Sequence, residues 1–225
     1  MGAAIGQVLP LAVAVALDPI PIVAVVHTLS TPRGRVKGPA FVFAWLVGLA
    51  LVGTIVLLLA SGASASESGK PATWLSVVRL VLGLLLLGWA FREYRRRPRG
   101  DAPPRLPGWM MSIDRFDARR SAALGFGLSA INPKNFILTA SAAGAIAQTG
   151  ISTGDQAVAL TVFVVVGSLG VAVPTGIYFA LGLRGAHMLD ALRTWMAREH
   201  TTIMIVLYLL IAAKLIGDAI TGFTS

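Results

Sequence analysis

The chain has 225 residues, 56% of them hydrophobic and only 13% charged, with a mean hydropathy of +0.77. A soluble domain carries about 25% charged residues, and apolar runs of about twenty residues match a hydrocarbon core of roughly 30 Å, so an ordinary water-soluble fold is excluded. The net charge of +9 falls in short stretches between the apolar runs, which speaks against a nucleic-acid partner and fits loops facing anionic lipid; without cysteine there are no disulfides or thiolate metal sites.

Six spans are expected. The first, 3–30, starts without a basic leader, so a cleaved signal peptide is not expected; it contains Asp18, Pro19, Pro21 and, near its far end, His27. The second covers 39–61 and is followed by the small, polar loop SGASASESGKPAT. The third, 73–92, carries Arg79 near its start. A linker then opens with the Pro/Gly-broken basic stretch RRRPRGDAPPRLPG and continues with Trp109, Met110, Ile113 and Phe116. Those four at i, i+1, i+4 and i+7 predict one apolar face of an interfacial helix; the alternative is a basic linker throughout. The fourth span, 121–148, holds Asn132, Pro133, Lys134 and Asn135; the fifth, 156–182, holds Pro174, read as a kink; the sixth, 201–222, holds Lys214 and Asp218 one turn apart.

Most of the 19 Lys and Arg lie in the loops after spans one, three and five. The positive-inside rule therefore puts those loops in the cytoplasm and both termini outside. Three crossings on each side of a long linker give halves of opposite orientation, 1–94 and 121–225, joined by the basic segment 95–120. The offset from Asp18-Pro19 to Asn132-Pro133 is the same at both residues, and each dipeptide follows a small-residue apolar stretch. At a slightly larger offset Gly48 falls opposite Gly167. The fold expected is an all-α membrane protein of six transmembrane helices in a 3+3 inverted repeat.

Prolines inside spans free carbonyls that lipid cannot satisfy, and matched Pro-broken helices point to a transporter site near the midplane. Candidate substrate- or ion-binding residues are Asp18, Pro19, Pro21, Asn132, Pro133, Lys134 and Asn135. A buried charge costs at least about 2.5–3.5 kcal/mol on insertion scales, so Asp18 and Lys134 are expected to face the bundle interior, as a pair or around a polar headgroup. The plainer alternative is structural kinks with a static buried pair. Lys214 and Asp218 are expected to pair locally or snorkel, Arg79 to reach the outer interface, and His27 to be an interfacial polar residue. Ala140 and Gly144 would permit close packing within or between subunits, including a homodimer. No metal-ligand spacing, phosphate loop or nucleophile–base arrangement is present; no enzyme activity and no cofactor are expected.

The stretches VAVALDPIPIVAVVHTLSTPRGRVKGPAFVFAWLVGLALVGT, WMMSIDRF and GFGLSAINPKNFILTASA resemble the GAP (sulfolipid- and peptidoglycolipid-addressing protein) family of the lysine-exporter (LysE) superfamily. The resemblance implies a LysE-like fold in a bacterial cytoplasmic (inner) membrane, export of a lipid or glycolipid envelope component, and helix breaks at Pro19 and at Asn132 to Lys134. Asp18 stands where that family more often has a smaller polar residue. Because the superfamily also exports amino acids and cations, a small polar solute is an alternative substrate. A non-transporting scaffold, using the basic segment to address lipid-export machinery, is the alternative of a different class.

Overall fold

The computed structural model describes residues 1–64, 73–96, 113 and 115–224, and every regular element among them is helical. The first apolar run is two helices, α1 (Gly2–Ala16) and α2 (Pro19–Ser30), bent by 50°. Proline accounts for the break. Pro19 and Pro21 offer no amide to α1, while a proline suits the first position of the helix that follows. A tight turn with Arg33 at φ 65° leads to α3 (Gly34–Ser64), and α4 (Thr73–Arg96) comes next. The fourth run is α5 (Ala118–Phe126), one π-helical turn (Gly127–Ile131) and α6 (Pro133–Gln148).

The rest is one helical run, Thr153–Thr224, whose non-helical backbone is confined to Gly182 (φ 53°, ψ −126°), a conformation open mainly to glycine. It divides into α7 (Thr153–Gly182) and α8 (His187–Phe223). Two expectations change here. Pro174 is buried within α7 while the backbone departs from helix later, at Gly182. The last helix also starts well before residue 201, so Arg193 and Arg198 ride on α8 instead of lying in a loop.

By length and apolarity α3, α7 and α8 can each cross a bilayer, and the bent α1–α2 pair makes a fourth candidate. This is a membrane protein. Among the described residues α4 and the α5–α6 run do not meet the same criterion; α4 confines its apolar stretch between Arg79 and Arg92, and the other run is divided by the π turn. Large apolar side chains such as Phe43, Leu58, Leu59, Val165 and Leu210 point outward, where only lipid would leave them without cost. Inside, Phe41, Trp45 and Leu49 of α3 join Leu11, Leu138, Ile146 and Phe163 in one core. Phe41 and Trp45 stack with ring centroids 6.4 Å apart.

Of the predicted interfacial helix, Trp109 and Met110 lie outside the described residues. Ile113 does not face the headgroups: it is fully buried in the core, with Phe116 packed against it. Asp117 caps α5 through the Arg120 amide at 2.8 Å, so the linker passes into the start of α5 there.

Candidate functional site

Both breaks are built alike. Asp18 is the N-cap of α2 and accepts from the Ile20 amide at 3.3 Å. Asn132 is the N-cap of α6 and accepts from the Lys134 amide at 3.1 Å. Each cap is followed by a proline at the first helical position, so neither site loses an amide that it needed. The preceding helices end differently: α1 stops at Ala16, whereas the second break is approached through a π turn closed by the Asn132 amide on the Gly127 carbonyl at 2.9 Å. Such turns release carbonyls from the usual ladder.

The breaks meet in the interior. Lys134 Nζ lies 2.8 Å from Asp18 Oδ2, with side chains 5% and 1% exposed. Asn135 Nδ2 donates to Asp18 Oδ2 at 3.2 Å and to the Leu128 carbonyl at 2.9 Å. One amide thus ties the carboxylate to a carbonyl within the π turn. Of the seven candidates, Asp18, Lys134 and Asn135 form the contact. Asn132 builds it by capping, and Pro19 and Pro133 set the helix starts; Pro21 is buried in the first turn of α2 and reaches none of these polar atoms by a hydrogen bond.

The charges do not balance locally. The N-termini of α2 and α6 carry partial positive charge and Lys134 adds a full one, against the single Asp18 carboxylate. Three further polar atoms on α6 are buried without a hydrogen-bond partner among the described residues: Asn135 Oδ1, Thr139 Oγ1 one turn on, and Ser141 Oγ. Trp45 Nε1 on α3 is in the same condition. A buried polar group left unmatched costs about 1–3 kcal/mol, so each is a position where a polar guest would be favourable.

Sequence reading missed the contribution of α8. Met204 Sδ stands 3.9 Å from Lys134 Nζ. His200 and Tyr208, one turn to either side, lie within electrostatic reach of both Asp18 and Glu93 of α4. Their spacing of i, i+4 and i+8 was the available signal. At the far end of the same helix Lys214 pairs with Asp218 at 2.6 Å, as expected, and Arg79 of α4 is half-buried within reach of the Asp218 charge.

Small residues let the other helices close on the breaks. A side chain at Gly170 of α7 would overlap the Ala16 carbonyl, and neighbouring Gly167 lies against Val15. Gly48 of α3 sits against Ser129 and Ala130 of the second break in the same way.

Fold and site together define an all-helical membrane protein with a buried ion pair between two proline-started helices. The family model described as Sap, sulfolipid-1-addressing protein, matches residues 8–221, and the chain belongs to that family. The resemblance seen in the sequence is borne out at this level. No curated protein and no solved structure matches the chain.

Proposed function

We propose that this protein is a secondary transporter of the bacterial cytoplasmic membrane that exports a lipid or glycolipid envelope component. The observation that carries the reading is the Asp18–Lys134 pair, 2.8 Å apart and buried between two helix breaks. Half-helix N-termini aimed at a central cavity suit anionic groups of a substrate. An acidic headgroup that takes the place of Asp18 at Lys134 would meet an ammonium and two positive helix ends. Asn135 Oδ1 and Thr139 Oγ1 offer acceptors to its hydroxyls. No chemistry on the cargo is required, so the protein is read as a carrier and not an enzyme.

The architecture that goes with this reading is six crossings in a LysE-like 3+3 inverted repeat with both termini outside. The exchange of contacts between halves supports it. Val15 and Ser129 stand at the same offset as Asp18 and Asn132, and each meets a glycine of the opposite half, Gly167 and Gly48. A two-fold relation between halves requires this reciprocity.

The test uses the purified chain in liposomes, with lipid carrying a reporter headgroup and transfer between leaflets followed over time. Wild type is expected to transfer an acidic lipid or glycolipid, and Lys134→Ala to lose that transfer. Transfer at the wild-type rate in Lys134→Ala refutes the site. Export of a small polar solute instead of lipid would replace the cargo, and no transfer by the chain alone would favour the scaffold.

A further inference from the structure

Away from the ion pair, a groove of about 550 Å³ runs between α4 and α8, lined by Leu87, Gly88, Phe91 and Tyr94 on one side and Ile205 and Leu209 on the other. Its volume falls in the roughly 300–1,000 Å³ range of small-ligand sites, yet apart from Tyr94 the lining residues, Ala90 included, offer only apolar side chains or none. At Gly88 a side chain would meet nothing within 4 Å, so the wall there opens onto free space.

The chemistry changes at one end. Arg95 holds its guanidinium 5.7 Å from the Phe91 ring centroid, a cation–π contact that keeps the charge over the groove wall. Arg92 is exposed on the same turn, and Tyr94 lies between them. An apolar channel with the Arg95 guanidinium over its wall, and Arg92 exposed on the same turn beside the half-buried Glu93, has the polarity of an amphiphile: chain inside, acid at the rim. A symmetric second copy is a poorer occupant, because an isologous contact would bring Arg92 and Arg95 towards their own equivalents.

We propose that the α4–α8 groove is a binding site for one acyl chain of an anionic lipid, with its headgroup held at the rim by Arg92 and Arg95. The lipid comes from the leaflet that faces the Arg-rich end of α4. Ile205 in the groove wall follows Met204, which touches Lys134, so the groove adjoins the ion pair through α8 without sharing its polar residues. Binding here stands apart from the export reading and can fail or succeed independently of it.

Native mass spectrometry of the full chain, released from micelles containing phosphatidylglycerol or phosphatidylcholine, tests the proposal. Two cations near the surface predict a preference of about tenfold or more for the anionic lipid. Gly88→Phe, which fills open space, is expected to reduce retained phosphatidylglycerol by about tenfold. Arg92→Gln with Arg95→Gln should abolish the preference while leaving chain binding in place; these are exposed positions, so this variant keeps the test decisive if Gly88→Phe fails to fold. Equal retention of the two lipids, unaltered binding in Gly88→Phe, or a preference for phosphatidylglycerol that survives the double Arg variant overturns the proposal. So does a disulfide-linked dimer formed between copies carrying Phe91→Cys and Leu209→Cys, which would put a second chain in the groove.

Discussion

Replacing Asp18 by Asn keeps an oxygen to cap α2 but removes the charge that faces Lys134. Two unit charges 2.8 Å apart attract by about 6 kcal/mol at an effective dielectric constant of 20. Desolvation opposes this by several kcal/mol for each ion, so the intact pair contributes little net stability. Losing one partner is different, because the other charge stays buried without compensation, at a cost of about 3–5 kcal/mol. Asp18→Asn and Lys134→Met are each expected to destabilise by that amount. The double variant, which removes both charges, is expected to lose under about 2 kcal/mol, for a coupling of about 4 kcal/mol or more. Equilibrium unfolding of all four proteins by SDS in mixed micelles, followed by tryptophan fluorescence, measures the cycle. Additive single effects would refute the argument, since they would mean the two charges are not paired in the folded chain. The double variant also separates roles: if stable but unable to move lipid, the pair serves transport; if stable and active, it is only a fastening.

Gly170→Ala should destabilise by pushing α7 off the Ala16 carbonyl, whereas Gly176→Ala, which meets nothing within 4 Å, should stabilise by up to about 1 kcal/mol from helix propensity; thermal unfolding of the two variants should move in opposite directions. Arg33→Gly relieves a left-handed conformation (φ 65°) that costs a side chain about 1–2 kcal/mol, and its midpoint should rise. The Arg120 amide on Asp117 holds that carboxyl below its usual range. A depressed folded value means the cap contributes fully above the unfolded pKa and is lost as pH falls through the folded one. Asp117→Ala should therefore be less stable than wild type at neutral pH, and the gap should close on acidification below about pH 4. With no native cysteine, Ser66→Cys and Gly100→Cys should react with an impermeant thiol reagent from opposite sides of the membrane; labelling from the same side would refute the six-crossing topology.

That Asp18 and Lys134 flank two helix breaks and face the interior was legible in the sequence, with direct pairing left open, because proline has few tolerable places in a membrane helix. A proline with a capping residue before it marks a helix start, and two such starts at one offset imply that they meet. Ile113 was misjudged for the reason its spacing was attractive. An apolar helical face reads the same whether lipid headgroups or a protein core covers it, and only tertiary packing decides. The early start of α8 was hidden by Arg193 and Arg198, since basic residues that mark a loop in hydropathy are also good helix formers. Met204 was missed because a methionine on an apolar stripe carries no sign of what it touches.

Those omissions share a cause that also explains the site. A helix broken in lipid must hand its freed carbonyls to protein, and here the receiving surface differs between the two breaks. The first is covered by α7 through Gly167 and Gly170, the second by α3 through Gly48. Gly170 lies against the Ala16 carbonyl, Gly167 against the Val15 side chain and Gly48 against those of Ser129 and Ala130, and a glycine brings no polar side chain of its own. The polar neighbours of the pair therefore come from α6 itself and from α8, where Met204 touches Lys134 and His200 and Tyr208 lie near Asp18. In the proposed transport, movement of α8 is the step that uncovers Lys134, because α8 brings it a soft sulfur contact that a headgroup can displace, while α3 and α7 are held against the breaks by glycine contacts.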